Sequence, residues 1–460
     1  MKDNSNNLIK EKSAPTTLGH ESIRKLLTIY AVPAIIAMTA SSLYNMVDSI
    51  FIGQGVGPLA ISGLAITFPV MNLSAAFGAM VGVGASTLLS VKLGQKDYST
   101  AQNILGNVIT LNTIIGVIFG ALMLAFIDPI LYFFGASNNT IGYARDYMVI
   151  ILLGNVITHM YLGLNAMLRS SGHPQKAMYA TIGTVIINTI LDPLFIYTFD
   201  MGIQGAAIAT VLAQCIALCW QLKIFTNKQE LIHLRKGTFK LQRKIVTNSL
   251  AIGMAPFLMN LCACVVVILI NKGLQTHGGD LAIGAYGIAN RITFFFVMIV
   301  MGLNQGMQPI AGYNYGARQY ERVNKVLRLT IYAATFVTSS AFLAGELMPE
   351  LLARAFTTDQ ELIKQAANGM RYLVFFFPIV GFQMVTINFF QSIGQAKISI
   401  FLSLTRQLIF LIPLLLILPL FWGQQGVWLS MPLSDLLSSV IAGWMLYRQF
   451  RMFKTDNINQ

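Results

Sequence analysis

The sequence has 460 residues, of which 55% are hydrophobic and 11% charged, and its formal net charge is +13. Soluble domains carry about 25% charged residues, and the strands of an outer-membrane barrel alternate over about ten residues, so both classes are excluded. The basic residues lie in short loops between apolar runs, which indicates membrane topology and argues against a nucleic-acid partner.

Apolar runs of about 20 residues or more, long enough to cross a ~30 Å hydrocarbon core as a helix, follow one another along the chain. They predict twelve transmembrane helices, at about 24–48, 57–88, 103–127, 141–167, 177–199, 203–222, 246–271, 281–309, 327–347, 368–391, 399–420 and 427–447. Lys and Arg cluster before the first helix and after every second one, whereas the intervening loops are mostly acidic. Since cytoplasmic loops carry the excess of basic residues, both termini are predicted to be cytoplasmic.

The longest connection, 223–245, is polar and basic, and it divides the chain into two halves of six helices. We expect a polar cytoplasmic tail at 1–20, bundles at 21–222 and 246–447, and a cytoplasmic tail at 448–460. A constant offset of 222 residues relates the halves, since it pairs Gly94 with Gly316 and Tyr98 with Tyr320. The prediction is an all-α polytopic membrane protein with two six-helix bundles related by pseudo-two-fold symmetry, because each half has an even number of spans.

Ionisable side chains in hydrocarbon are costly and indicate function when they face a protein interior or a water-filled cavity. Asp48 lies near the end of the first span, and Asn188 and Asp192 stand four residues apart on one face of the fifth. With Thr210 of the sixth span they form a set of hard oxygen ligands that suits a proton or a sodium ion. Two alternatives stay open: Asp48 could be interfacial, and Asp192 could cap a helix end before Pro193.

The second half lacks these carboxylates, because Ile270 and Leu414 stand at the corresponding positions, so the ion site is assigned to the first bundle. Asp435 of the last span is interpreted as a packing or relay residue. The sequence contains no phosphate loop, catalytic cluster or channel filter, which favours transport driven by an ion gradient over an enzyme or a channel. We expect no cofactor, disulfide or metal, apart from sodium at the ion site.

Several stretches together resemble the multidrug and toxic compound extrusion (MATE) family, most of all its MepA-like branch of bacterial members. They are Leu43–Asp48 followed by Phe51-Ile52-Gly53, Asn188–Pro193 with Gly202 and Gly205-Ala206-Ala207 after it, and Gln305–Pro309 leading to Gly312–Gly316. The resemblance extends over nearly the whole chain. It implies an antiporter that expels cationic lipophilic drugs in exchange for protons or sodium and alternates between two states.

The resemblance also implies a cation site at the positions of Asp48, Asn188, Asp192 and Thr210, with Tyr44 one turn before Asp48. Other polar residues of the spans are candidates for a substrate cavity, namely Asn45, Asn155, Gln305, Gln308 and Gln383. We expect a monomer in the bacterial cytoplasmic membrane, in contact with lipid. The alternative is a flippase of a lipid-linked oligosaccharide, which would need cationic side chains in its cavity, where only Arg291 and Arg406 lie near the spans.

Overall fold

A computed structural model describes residues 16–458, apart from the side chains of Asn45, Met46, Pro58 and residues 454–458. The first fifteen residues of the predicted tail therefore lie outside the described part of the chain, as does the side chain of Asn45. Within that part the chain forms helices and no strand, which confirms the all-α class.

Fifteen α-helices follow a short 3-10 turn at Thr16–Gly19. They are α1 (Ile23–Gly55), α2 (Pro58–Gly94), α3 (Tyr98–Ala125), α4 (Ile127–Phe133), α5 (Ile141–Leu153), α6 (Asn155–Ser170), α7 (Pro174–Pro193), α8 (Gly202–Phe225), α9 (Arg243–Gly316), α10 (Tyr320–Leu347), α11 (Pro349–Arg354), α12 (Gln360–Val374), α13 (Phe377–Ser392), α14 (Ala396–Leu404) and α15 (Ile412–Ile458). Two π-helical segments, Leu194–Thr198 and Thr405–Leu411, follow α7 and α14.

The helices account for the twelve predicted spans. By length and composition, eight helical runs could cross a membrane, and two bent pairs, α5 with α6 (56°) and α12 with α13 (51°), raise this number to ten. The two longest runs each join two helices across a glycine with positive φ, Gly279 in α9 and Gly423 in α15. The predicted fourth and tenth spans are thus bent helices rather than straight ones.

Gly154 lies at the first of these bends, between α5 and α6. Glycine is a weak helix former, and here a Cβ atom would come within 2.6 Å of the Val211 side chain on α8. The missing side chain therefore allows the bent helix to pack closely against α8.

The chain forms two compact units. Among the described residues, the first contains Thr16–Glu21 and Ile36–Phe257, and the second contains Ser22–Ile35 and Leu258–Ile458. The beginning of α1 thus belongs to the second unit and the beginning of α9 to the first. Each unit has its own apolar core, one around Tyr147 and Leu152 and the other around Met370 and Trp428.

We call Ser22–Ile35 at the beginning of α1 and residues 243–257 of α9 the exchanged segments, because each belongs to the unit formed mainly by the other half of the chain. Glycines allow both segments to pack closely. In the second unit a Cβ atom at Gly306 would lie 2.5 Å from the Cα atom of Ala31. In the first unit a Cβ atom at Gly84 would lie 1.8 Å from the carbonyl oxygen of Ser249. At both places the helix backbones touch directly, so no larger residue fits without a shift.

The internal repeat is visible in the backbone. The helices α3 and α10 begin at Tyr98 and Tyr320, and α2 and α9 end at Gly94 and Gly316, in both cases 222 residues apart. Left-handed conformations recur at the same spacing, as in the pairs Gly57 with Gly279, Lys96 with Arg318 and Gly172 with Gly394. The two halves therefore repeat the same order of helices and turns.

The basic connection between the halves packs against α3. Asn107 Nδ2 donates to the carbonyl oxygens of Thr238 and Lys240, each at 3.1 Å, and Asn107 Oδ1 accepts from the backbone nitrogen of Gln242 at 2.8 Å. A Cβ atom at Gly106 would lie 2.4 Å from the carbonyl oxygen of Thr238. The connection is thus held to the first unit by specific contacts.

Glu230 ties the same connection to the start of α7. Its carboxylate lies 2.9 Å from His173 Nε2 and 3.2 Å from Lys176 Nζ. Burial acts to raise the pKa of Glu230, but the neighbouring His173 and Lys176 outweigh burial and hold this pKa below its usual value. The carboxylate is therefore ionised at neutral pH.

Candidate cation site

A cavity of about 300 Å³ lies inside the first unit. The helices α1, α2, α5, α6, α7 and α8 line it with Ser41, Tyr44, Asp48, Ser49, Leu64, Phe68, Met71, Asn72, Ser74, Ala75, Tyr147, Ile151, Asn155, Thr158, Tyr161, Leu162, Thr181, Thr184, Val185, Asn188, Thr210 and Gln214. Four of the five residues proposed for the cation site are among them, and the fifth, Asp192, adjoins the cavity through its contacts with Asp48 and Asn188.

Asp48 and Asp192 form a buried pair of carboxyl groups. Asp48 is 6% exposed and Asp192 is fully buried, and the two side chains lie next to each other, close enough to interact. Two neighbouring buried carboxyl groups repel each other when both are ionised, so a proton or a small cation between them is favoured. Among the described residues Asp48 Oδ1 has no hydrogen-bond partner, so this buried oxygen is left for a ligand.

Asn188 and Thr210 connect this pair to neighbouring helices. Asn188 Nδ2 donates to Asp192 Oδ2 at 2.8 Å, and Asn188 Oδ1 accepts from the backbone nitrogen of Thr210 at 3.1 Å. The Thr210 hydroxyl lies 3.0 Å from the carbonyl oxygen of Ala206, to which it donates, and 3.1 Å from the Tyr44 hydroxyl. Since Thr210 has a single hydroxyl hydrogen, Tyr44 is the donor in the last of these bonds.

The local sequence explains why the carboxyl group of Asp192 is in this position. Pro193 cannot donate a backbone hydrogen bond, and the chain continues as the π-helical segment Leu194–Thr198, a form that is frequent at functional sites. On α8 a Cβ atom at Gly205 would lie 2.8 Å from the backbone carbon of Phe195. The small residue therefore lets α8 and Thr210 approach the end of α7.

Among the described residues, no Lys, Arg or His lines the cavity. The same part of the chain contains no group of three or more His, Cys, Asp or Glu side chains that could hold a metal ion. The carboxyl pair thus has no positive partner within the described lining, and in apolar surroundings two such groups need a proton or a small cation to balance their charge. Carboxylate, amide and hydroxyl oxygens suit sodium as well as a proton.

The residues proposed for a substrate cavity lie in two places. Asn155 lines the cavity of the first unit, where its Nδ2 donates to the carbonyl oxygen of Gly116 at 3.0 Å and its Oδ1 accepts from the Ser74 hydroxyl. Gln305, Gln308 and Gln383 belong to the second unit. Gln383 is buried and donates to the Ser438 hydroxyl at 2.6 Å.

Several lining residues, among them Thr181 and Thr184 of α7, were not predicted from the sequence. Thr181, Thr184, Asn188 and Asp192 recur every three or four residues on α7, so they share one face, while Ile186 and Ile190 lie exposed on the other. This polar stripe within an apolar helix was a readable signal. Ser74 and Tyr147 offered no comparable pattern in the sequence.

Asp435 has a resident partner, unlike Asp48 and Asp192. Arg406 Nε donates to Asp435 Oδ1 at 2.7 Å, and the Ser434 hydroxyl donates to the carbonyl oxygen of Arg406 at 2.6 Å. Arg406 lies in the π-helical segment Thr405–Leu411. The Asp435 carboxylate is thus neutralised by an arginine of its own unit.

The chain is similar to known transport proteins over nearly its whole length. The family model described as MatE matches residues 33–194 and 251–417. Multidrug export protein MepA of Staphylococcus haemolyticus (strain JCSC1435) is 26% identical over 426 residues, which cover 93% of this chain and 94% of that protein. The protein of the same name from Staphylococcus aureus (strain NCTC 8325 / PS 47) is 27% identical over 427 residues, or 92% of this chain and 93% of that protein.

Solved structures agree with this similarity. The MATE multidrug transporter DinF-BH, solved as a ligand complex, superimposes with a TM-score of 0.87 at 36% identity, covering 95% of this chain and 98% of that chain. The outward-facing conformation of a multidrug resistance MATE family transporter of the MOP superfamily gives a TM-score of 0.90 at 25% identity. The superposition covers 96% of this chain and 99% of that chain. As its sequence motifs predicted, this multi-pass membrane protein belongs to the MATE family of transporters.

Proposed function

We propose that the protein is a secondary active antiporter that exports cationic lipophilic compounds in exchange for protons or sodium. The observation that carries this proposal is the buried, neighbouring carboxyl pair of Asp48 and Asp192, beside a cavity whose described lining contains no basic side chain. A buried pair of this kind takes up and releases a single positive charge, which is what coupling to an ion gradient requires.

The coupling follows because the ion and the cationic drug compete for the same negative charge, that of Asp48 and Asp192. A proton or sodium ion at Asp48 and Asp192 stabilises the state of the protein that binds it best, and a lipophilic cation stabilises the other state. Each ligand then lowers the affinity for the other, which produces exchange rather than co-transport. Asn188 and Thr210 complete the ion's shell of oxygen ligands, and Tyr44 orients the Thr210 hydroxyl.

The relatives support a drug substrate for this antiport. MepA is described as a multidrug export protein, and DinF-BH as a multidrug transporter that was solved with a ligand bound. The apolar lining residues of the cavity, among them Phe68, Met71 and Ile151, suit a lipophilic cation. The site of action is the bacterial cytoplasmic membrane, with both termini on the cytoplasmic side and the protein acting as a monomer without cofactor.

The test measures efflux of a fluorescent lipophilic cation from energised membrane vesicles, with a proton gradient and a sodium gradient imposed separately. We expect one gradient to drive efflux in the wild type and Asp48→Asn to abolish it. Asp200→Asn is the matched control, because it makes the same chemical change at an exposed position outside the cavity. Efflux that persists in Asp48→Asn would contradict the role of the carboxyl pair.

A lipid-linked oligosaccharide flippase would bind the negative charge of a pyrophosphate group. The described lining of the first unit's cavity offers no Lys or Arg for this purpose. If neither gradient moves the dye although the protein is folded and inserted, antiport of drugs is refuted. Transfer of a lipid-linked substrate between leaflets is then the activity to measure.

A further inference from the structure

The second unit has a cavity of its own, of about 930 Å³, and nothing in the transport mechanism uses it. The end of α10, the helix α12 with the bend after it, and the region around Gly423 in α15 form its walls. Its lining residues are Glu346, Gln365, Asn368, Gly369, Arg371, Tyr372, Phe375, Phe376, Trp422, Gln424, Gln425, Trp428, Leu429, Pro432 and Leu433. The volume lies within the ~300–1,000 Å³ that is typical of ligand sites.

One side of this cavity is formed by a closely packed tryptophan, Trp428. The Trp428 ring packs directly on α12, because a Cβ atom at Gly369 would lie 2.4 Å from it. The same ring meets Tyr286 edge to face, with 5.9 Å between the ring centroids. Trp428 is 3% exposed, so the cavity is built on a packed aromatic core and is not a gap between loose loops.

The walls carry one charge of each sign. Arg371 is exposed and Glu346 is half-buried, and in the part of the chain that the structure describes neither makes an ion pair. Both charges are therefore free to contact a ligand. The aromatic rings of Tyr372 and Trp422 lie in the same lining, and such rings attract an ammonium group as well.

The surroundings of the cavity are apolar and exposed. Leu347, next to Glu346, is 74% exposed, and Phe421, next to Trp422, is 75% exposed. Trp and Tyr beside such apolar residues are typical of the membrane interface. An occupant of this cavity would thus have its polar part against the charged walls and its apolar part against lipid-facing side chains.

We infer that this cavity binds the headgroup of a zwitterionic phospholipid. Arg371 contacts the phosphate, for which a guanidinium group is well suited, and Glu346 contacts the ammonium group together with the rings of Tyr372 and Trp422. The acyl chains lie along Leu347 and Phe421. The topology predicted from basic residues places this end of the unit at the outer face, so the lipid belongs to the outer leaflet. The inference does not depend on the proposed antiport.

Binding is tested on the full-length protein in detergent by native mass spectrometry. The probes are phosphatidylethanolamine, phosphatidylglycerol and diacylglycerol with identical acyl chains. We expect phosphatidylethanolamine to bind most tightly and Arg371→Gln to weaken it about tenfold, as expected for one lost charge-assisted hydrogen bond. Glu346→Gln should abolish the preference for phosphatidylethanolamine over phosphatidylglycerol.

Matched controls separate this site from a general effect of surface charge. Arg354→Gln and Glu350→Gln make the same chemical changes at exposed positions that do not line the cavity. Asn368→Trp places a bulky side chain in the cavity lining without changing charge, and it should weaken binding of phosphatidylethanolamine while the protein elutes as a folded species. Equal binding of the two phospholipids by the wild type, or equal losses in Arg354→Gln and Arg371→Gln, would overturn the inference.

Discussion

Thr210 is the residue that joins the three helices of the proposed cation site. Its hydroxyl contacts Tyr44 of α1, its backbone nitrogen donates to Asn188 of α7, and it lies on α8 itself. In the sequence this threonine was the weakest member of the set, because a lone hydroxyl in a helix usually bonds its own backbone. That bond, to the carbonyl oxygen of Ala206, is present, and it leaves the oxygen lone pairs for Tyr44.

Replacing Thr210 by Val should weaken binding of the coupling ion. Valine keeps the shape of threonine but removes the acceptor of the Tyr44 hydroxyl, and an unsatisfied buried polar group costs about 1–3 kcal/mol, or about 5- to 150-fold in affinity. We expect the ion concentration for half-maximal efflux to rise by this factor in Thr210→Val. Thr210→Ser, which keeps the hydroxyl, should stay close to the wild type; equal behaviour of the two variants would refute this role.

Asp435 shows how a single partner changes the meaning of a carboxylate. The sequence left open whether it packs or relays protons, and the structure pairs it with Arg406. An ion pair with a resident arginine is neutral and does not need an external cation. The carboxyl pair of the first unit has no such partner among the described lining residues, and this difference is the physical reason why we propose ion coupling in the first unit.

Removing one member of this ion pair should destabilise the protein more than removing both. Asp435→Leu leaves the Arg406 charge unpaired; since Arg406 is 30% exposed, we expect less than the about 3–5 kcal/mol of a fully buried pair. The double variant Asp435→Leu with Arg406→Leu should recover part of the lost melting temperature in detergent. A double variant less stable than Asp435→Leu would contradict this interpretation of the pair.

At the scale of elements, bends and close approaches decide how the helices pack. The bend at Gly154 lies at the start of α6, and the π-helical segment after Pro193 lies at the end of α7. Both helices line the cavity of the first unit. Sequence patterns predicted these spans but not their bends, because hydropathy reports only how apolar a segment is. The position of a bend depends on contacts with other helices, such as that of Gly154 with Val211.

The connection between the halves provides a test at this scale. The Asn107 side chain makes three hydrogen bonds to the backbone of this connection. Asn107→Leu should therefore release the connection from α3 and leave buried polar groups unsatisfied. We expect faster trypsin cleavage within residues 226–242, which contain Lys228, Arg235 and Lys236. Asn103→Leu is the control, because the Asn103 side chain makes no such contact; an unchanged cleavage rate in Asn107→Leu would refute this role.

At the scale of the whole molecule, the halves of the chain do not coincide with the compact units. Ser22–Ile35 belongs to the second unit, and the segment from Arg243 to Phe257 belongs to the first. Direct backbone contacts at Gly306 and Gly84 hold these two segments in place. Each unit is therefore completed by a helix segment that comes from the other half of the chain.

Dividing the chain after residue 236 tests this dependence. The fragment 1–236 lacks the segment that packs against Gly84, and the fragment 237–460 lacks the segment that packs against Gly306. We expect each fragment alone to be degraded, whereas co-expression should restore a stable complex that is recovered by a tag on one fragment. Stable accumulation of either fragment alone would show that its unit does not need the exchanged segment.

Hydropathy and charge, which belong to each segment by itself, were sufficient to predict the membrane class and the twelve spans. The costs of burying polar groups also pointed to Asp48, Asn188, Asp192 and Thr210 before any contact was known. Only the tertiary structure decided which groups meet. It brings Asp48 next to Asp192 and pairs Arg406 with Asp435, and it packs the exchanged segments of α1 and α9 into the second and the first unit. Such contacts join residues far apart in the chain, so they depend on packing geometry that no local pattern contains.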